Sequence, residues 1–194
     1  ASFVASASDR PYETLAFAAP AASAAPPTPA AAAGTPAVHW PEEFGDPDRV
    51  RVFGDAAASA RRINVVIVPD GYTHAEKAVL DQHAAALVAA FRARTPYKEH
   101  DAFLNYVLVY AYSGQSGTDQ CDCGTVADTA MGTRFPAAGG ACGADENRCL
   151  YYGTANGGPS CDPNTSTTNI AAADLRAPAH DTTIVMVNTA RYGG

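Results

Sequence analysis

Ile63-Asn64-Val65-Val66-Ile67-Val68-Pro69-Asp70-Gly71-Tyr72-Thr73 is the stretch on which the fold turns. From Ile63 to Val68 every residue except Asn64 is β-branched, so a strand made of it offers apolar side chains to both faces. Such a strand belongs inside a sheet covered on both sides, the usual setting of parallel strands. Pro69-Asp70-Gly71 then reads as a turn whose glycine can take a positive φ. Thr73 and Glu76 have the spacing of a capping box, which opens a helix by satisfying its first backbone N–H groups. Val79, His83, Leu87 and Phe91 recur every four residues with Leu80 beside them, giving one apolar stripe. The helix is expected to stop near Arg94, because Pro96 disfavours helical geometry at Thr95.

Downstream, a short turn over Tyr97–Ala102 leads into Phe103 to Tyr112, a second strand with two apolar faces. Strand, helix and strand at this spacing make a βαβ unit with its strands parallel. Asp181 to Asn188 reads as a third strand. Between them, Ser113 to about Ala179 reads as a long loop, and loops of that length are commonly functional. Upstream, Val50, Val52 and Phe53 suggest a short edge strand ending at Gly54-Asp55. The expected organisation is an arm and linker over residues 1–60 and an α/β domain of three layers over 61–194. From Ala16 to Ala37, 17 of 22 residues are Ala or Pro. Side chains so small bury too little to offset ordering of the backbone. The segment is therefore an extended arm, expected to dock on a neighbouring subunit or on the rest of the protein.

The formal net charge of -7 argues against nucleic acid or an anionic membrane as partner, since both are negative themselves. No apolar run is long enough to span a bilayer. Ala1 to Ala5 is not an intact signal peptide, although it fits the remainder after cleavage at small residues. Cys121, Cys123, Cys142, Cys149 and Cys161 cluster in a polar, glycine-rich stretch. That points to disulfides in an oxidising compartment, hence to secretion; a metal knuckle and free thiols are the alternatives. Their spacing matches no zinc-ribbon pattern. Cys121 and Cys123 lie too close to bridge each other without strain, and the odd total leaves one sulfur unpaired within the chain.

No glycine-rich phosphate loop, G-x-S-x-G elbow or H-E-x-x-H is present. The histidines, His39, His74, His83, His100 and His180, include no pair four apart, so no helical pair chelates zinc. His83 on the apolar stripe reads as a core histidine with a partner. His180 beside Asp181 is a weaker candidate for an oriented base. Asp119, Asp122, Asp128, Asp145, Glu146 and Asp162 leave room for a calcium site, though none matches an EF-hand loop. Asp70 reads as fixing its turn or capping the helix, not as a catalytic carboxylate. A nucleotide-binding βαβ protein is disfavoured, because Pro69-Asp70-Gly71-Tyr72 offers no glycine-rich cradle.

Val65 to Thr73, ending in the D-G-Y-T turn, resembles the opening of the IgA-specific metalloendopeptidase family. Pro96-Tyr97-Lys98-Glu99 with Phe103-Leu104-Asn105-Tyr106 is similar to the stretch leading that family's second strand. Ser116-Gly117-Thr118-Asp119, Asp128-Thr129-Ala130-Met131-Gly132 and Val187-Asn188 through Tyr192-Gly193-Gly194 are similar to its later segments, in the same order. The resemblance covers about residues 61–194 and implies the sheet-bearing upper subdomain of a zincin-like enzyme. It implies peptide hydrolysis by zinc-activated water, with a protein or peptide as substrate. In the family an H-E-x-x-H helix follows the Y-G-G loop; here it would lie beyond Gly194, on a companion C-terminal segment, so this chain alone is expected to be inactive. Arg191, Tyr192 and Gly193 become candidates for the substrate cleft. Asp70, Gly71 and Tyr72 are the turn that carries the family motif. The alternative is a non-catalytic extracellular assembly module that kept the fold.

Overall fold

The computed structural model describes residues 2–6, 37–120, 127–135, 150 and 167–190. Its strands are β1 (Ser2–Ser6), β2 (Val50–Phe53), β3 (Ile63–Asp70), β4 (Leu104–Val109), β5 (Asp119–Gln120), β6 (Arg134–Phe135) and β7 (Thr182–Val187). Its helices are α1 (Lys77–Arg92), α2 (Tyr97–His100) and α3 (Thr167–Asp174). Five strands form one mixed sheet in the order β1-β7-β3-β4-β2, and β5 pairs with β6 separately. At the centre β3 runs parallel to β4 on one side and to β7 on the other. β1 and β2 are antiparallel edges. The mixed α/β class and the parallel βαβ unit expected from the sequence are present. The described residues include no helix long and apolar enough to cross a membrane.

The period-2 alternation sorts the apolar residues of these strands onto two faces. Val65, Ile67, Tyr106, Leu108, Ile184 and Met186 face α1, which meets them with Leu80, Ala84, Leu87, Val88 and Phe91. Val66, Val68, Val107 and Val109 face away, onto Met131 and the Ala173 of α3. Val38, Trp40, Val50 and Val52 pack against this second face, so residues upstream of Arg61 cover part of the core. Both faces being covered is why the strands read as continuous apolar runs.

Three local expectations are corrected. β3 does not stop at Val68 but continues through Pro69 to Asp70. Its pairing with β4 ends at Ile67, and beyond that only β7 is beside it, so proline's missing N–H leaves a single ladder to disturb. The stretch after Pro96 is not a plain turn but one turn of α2 followed by a 3-10 turn over Asp101–Phe103. The region Ser113–Ala179 is not all loop, for it contains β5, β6 and α3. α3 has only Ile170 and three alanines as apolar residues, too little to draw a stripe in the sequence. The five cysteines, along with Asp122, Asp145, Glu146 and Asp162, lie outside the described residues, as does most of the Ala/Pro arm.

A strand apolar on both faces exchanges one apolar set for the other when it slips by one residue, and a buried polar pair penalises that slip. Asn64 and Asn105 are register partners near the start of β3 and β4, and both are buried. Asn105 Nδ2 donates to Asn64 Oδ1 at 3.2 Å and to the Asp55 carbonyl at 3.1 Å, while Asp55 N donates to Asn105 Oδ1 at 2.9 Å. Asn64 Nδ2 donates to the carbonyls of Ser59 and Arg62, each at 2.9 Å. Gly54, at φ +145°, is required beside this pair, because a Cβ there would stand 2.3 Å from Asn105 Oδ1. A slip of one residue between β3 and β4 breaks the bond between Asn64 and Asn105.

Asn105→Leu is expected to cost about 3 kcal/mol, because it strands the Asp55 N–H and Asn64 Oδ1 in the interior. Urea unfolding tests this; an unchanged midpoint would show that apolar packing alone holds the register. A second expectation concerns His83, whose Nδ1 lies 2.9 Å from the Tyr72 hydroxyl. Burial holds the His83 pKa below its ordinary value. The unfolded chain then binds the proton more readily, so this contribution is whole above about pH 6.5 and is lost as pH falls below it. His83→Phe should flatten the acid side of the stability–pH curve relative to the parent, and an unaltered slope would contradict the assignment.

Candidate functional site: the strand ends around Asp70

β3 is where the chain order reverses. It is followed in sequence by β4 on one side, and the later β7 lies on the other. In sheets of parallel strands, ligand sites form beyond the carboxyl ends of the strands at such a reversal. Here that place is Asp70 and what surrounds it.

The Asp70 side chain is fully buried. Its Oδ1 accepts from Met131 N at 2.8 Å and Ser113 Oγ at 3.5 Å. Its Oδ2 accepts from Thr133 N at 2.9 Å, from Thr129 Oγ1 at 3.1 Å and from the Thr133 hydroxyl. Burial pushes the carboxyl's pKa up, and the hydrogen bonds from Thr133, Met131 and Thr129 pull against that shift. Both oxygens face backbone N–H groups, which only ever donate. The carboxylate has neither solvent access nor a free lone pair with which to work on a substrate. Its role is to hold residues 129–133 against the end of β3.

Gly71 makes the next turn possible. Its φ is +73°, and a Cβ would lie 1.8 Å from the Gly117 carbonyl oxygen, so only glycine fits. Gly71 N donates to Ser113 Oγ, and its carbonyl accepts from Gly117 N and from Asn188 Nδ2, each at 2.9 Å. Ser113 Oγ also accepts from Ala130 N at 2.8 Å. Tyr72 is buried, its carbonyl receiving Ser113 N at 2.8 Å, and burial raises the pKa of its phenol. Glu76 closes the far side. Its Oε2 accepts from the backbone N–H and the hydroxyl of Thr73, each at 2.9 Å. The Glu76 Oε1 accepts from Ser116 Oγ at 2.8 Å and from Asn188 Nδ2 at 3.4 Å.

Segments far apart in sequence thus meet at one end of the sheet: 70–73, 113–119, 128–133 and 187–188. Four of the five stretches that carry the sequence resemblance are represented among them. The fifth, around Pro96 and Phe103, leads into β4 at the opposite end. Ser113, Thr133 and Glu76 in this role were not read from the sequence, since their partners are 40 to 63 residues away. Of the turn candidates, Asp70 anchors a loop, Gly71 supplies the backbone conformation, and Tyr72 is core. The cleft candidates Arg191, Tyr192 and Gly193 lie outside the described residues.

The other candidates are placed as follows. His180 and Asp181 do not form a dyad. His180 Nε2 lies 3.3 Å from Asp174, whereas Asp181 accepts from Asn64 N at 2.8 Å. Asp119 Oδ1 accepts from Ala127 N at 2.6 Å. Among the described residues no group of three His, Cys, Asp or Glu is placed to hold a metal ion, so they do not fit a zinc site, and the calcium expectation has no support. A groove of about 600 Å³ lined by Arg61, Ile63, His100 and Phe103 opens at the start of β3 and β4, remote from the converging segments.

Asp70→Asn should cost about 3 kcal/mol or more, because whichever way the new amide is turned its NH2 faces a backbone N–H, that of Met131 or of Thr133. Chemical unfolding checks this, and a stability within error of the parent would show that the carboxylate is dispensable.

The sequence profile of the family described as IgA Peptidase M64 matches residues 52–194, most of the chain and all of the segments that meet at Asp70. No curated protein matches the chain. The chain belongs to the IgA peptidase M64 family.

Proposed function

We propose that this chain forms the sheet and strand-end scaffold of a secreted zinc metalloendopeptidase, whose zinc-binding H-E-x-x-H helix lies beyond residue 194. Family membership supports a metallopeptidase-type activity on protein substrates. The observation that carries the reading is the meeting of the family's segments at the carboxyl ends of β3 and β7. There a rigid polar node, and not a reacting group, is what the residues supply. A zinc ion bound downstream would activate water for attack on the peptide bond. The residues of this chain would supply the sheet beside it, and Arg191, Tyr192 and Gly193 are proposed to contribute to the substrate cleft. The clustered cysteines support secretion, and the Ala/Pro arm is free in composition to lie along a companion segment or neighbouring subunit.

The test is to compare the natural gene product with the 194-residue chain, measuring bound zinc and hydrolysis of an unstructured peptide. The expected result is about one zinc per chain and chelator-sensitive cleavage for the longer protein, and neither for residues 1–194. Zinc-dependent cleavage by residues 1–194 alone would overturn the proposed division of labour. A gene that ends at Gly194 would favour the non-catalytic assembly module instead.

A further inference from the structure

Two large apolar residues are exposed where the strands they introduce are buried. From Asn64 to Asp70 every residue of β3 is buried, yet Ile63, the first, keeps 51% of its surface. Phe103 stands one residue before the buried strand β4 and keeps 61%. Both line the groove of about 600 Å³ at the strand starts, together with Leu104, Arg61, Arg62 and His100. No carboxylate lines it. In a chain of net charge -7, a concave surface with two guanidinium groups, an imidazole and no acid reverses the prevailing sign. The acids of the neighbouring segments are engaged elsewhere or only loosely opposed. Asp101 meets Arg92 Nε at 2.8 Å, and Asp181 accepts from Asn64 N at 2.8 Å. Asp55 stands 3.7 Å from Arg62 Nη2 and offsets part of that charge. Arg61, at the end of the 3-10 turn over Ala56–Arg61, is exposed and makes no ion pair among the described residues.

A single exposed apolar residue carries no message, but a concave pair of them with a charged rim does. We propose that this groove docks an extended segment of a partner protein, one that carries a large apolar side chain beside acidic residues. The apolar side chain would remove Ile63 and Phe103 from water together. A carboxylate beside it would meet the planar donors of Arg61, which suit it better than a point charge does. A folded partner needs about 800 Å² on each side for a stable contact, more than these strand starts offer, so a short segment fits better. A second copy of this acidic chain is repelled by its own net charge. A fatty acid shares the chemistry of carboxylate and apolar tail, but its chain needs an enclosed cavity and this groove is open. The groove lies at the opposite end of the sheet from Asp70, so the inference does not rest on the proposed function.

The experiment uses the 194-residue chain and three fluorescein-labelled hexapeptides, with binding read by anisotropy at low salt. The first peptide has Leu-Phe between two pairs of Glu. The second has Lys in place of every Glu, and the third has Ala-Ala in place of Leu-Phe. The first is expected to bind, and the other two at least about tenfold more weakly. Phe103→Ser and Arg61→Glu change exposed side chains, so both variants are expected to fold as the parent does. Each should weaken the first peptide about tenfold, and Arg61→Glu should bind the second peptide better than the parent does. Equal binding of the Glu and Lys peptides, or undiminished binding by Phe103→Ser, overturns the proposal. So does failure of the first peptide to bind at about 1 mM. Binding of laurate without binding of the peptide would assign the groove to a fatty acid. A dimer that sedimentation finds in the parent and not in Phe103→Ser would assign it to a second copy. Either result overturns the proposal as well.

Discussion

A carboxylate without access to water organises this molecule. Removing the Asp70 charge from solvent costs several kcal/mol unless the interior returns equivalent hydrogen bonds, and it is buried completely. The return comes from Ser113, Thr129, Met131 and Thr133, none of them local. Those residues must therefore come to the end of β3 before the side chain can be enclosed. The loop over 127–135 has almost no repetitive structure of its own, and this demand is what gives it a fixed shape. Met131 is carried with it onto the far face of the sheet, where it packs against Val66, Val68 and Val107.

The sheet is thus fixed at two ends by different devices. Near its start, Asn64 and Asn105 pair across β3 and β4 and bind the backbone around Asp55 and Ser59. At its finish, Asp70 and Gly71 gather the loops. Between them β3 carries only apolar residues, Val65 to Pro69, whose packing supplies cohesion. Cohesion from the apolar middle and specificity from the polar ends is a division that lets the strand ends carry a precise geometry. The whole cost of each polar end is met locally by saturation: every oxygen of Asp70 and Glu76 has a donor, so neither charge is left exposed to an unfavourable interior.

What the sequence made legible follows from the range of each interaction. β3, α1, β4 and β7 announce themselves because their determinants are local: a β-branched run, a four-residue stripe and a capping box between Thr73 and Glu76. His83 was readable as a core histidine because it sits on that stripe, although its partner, the Tyr72 hydroxyl, was not. α3 was illegible because three alanines pack as well in a loop as in a helix. Asp70 was legible only as a turn residue. That it is the hub of the site depends on Ser113, Thr129, Met131 and Thr133, and no local pattern in the sequence ties these distant residues to it. The resemblance to known peptidases marked the right segments without saying that they touch. Their contact is a product of topology, since the reversal of order at β3 puts the ends of β3 and β7 side by side.

The same geometry bears on where chemistry resides. A group that works on a substrate needs an accessible lone pair or proton and freedom to change charge. Asp70 has neither. Within the core His83 is engaged with Tyr72, and nearer the surface His39 meets Glu43, His180 meets Asp174 and His74 stacks on Phe44 with its ring centroid 4.0 Å away, while His100 is exposed. Asn188 ties the end of β7 to two other segments, its amide donating to the Gly71 carbonyl and to Ser116 Oγ. The loops at the ends of β3 and β7 thus take their alignment from the hydrogen bonds that join Glu76, Ser116 and Asn188, and ultimately from the buried carboxylate of Asp70 that draws residues 129–133 in.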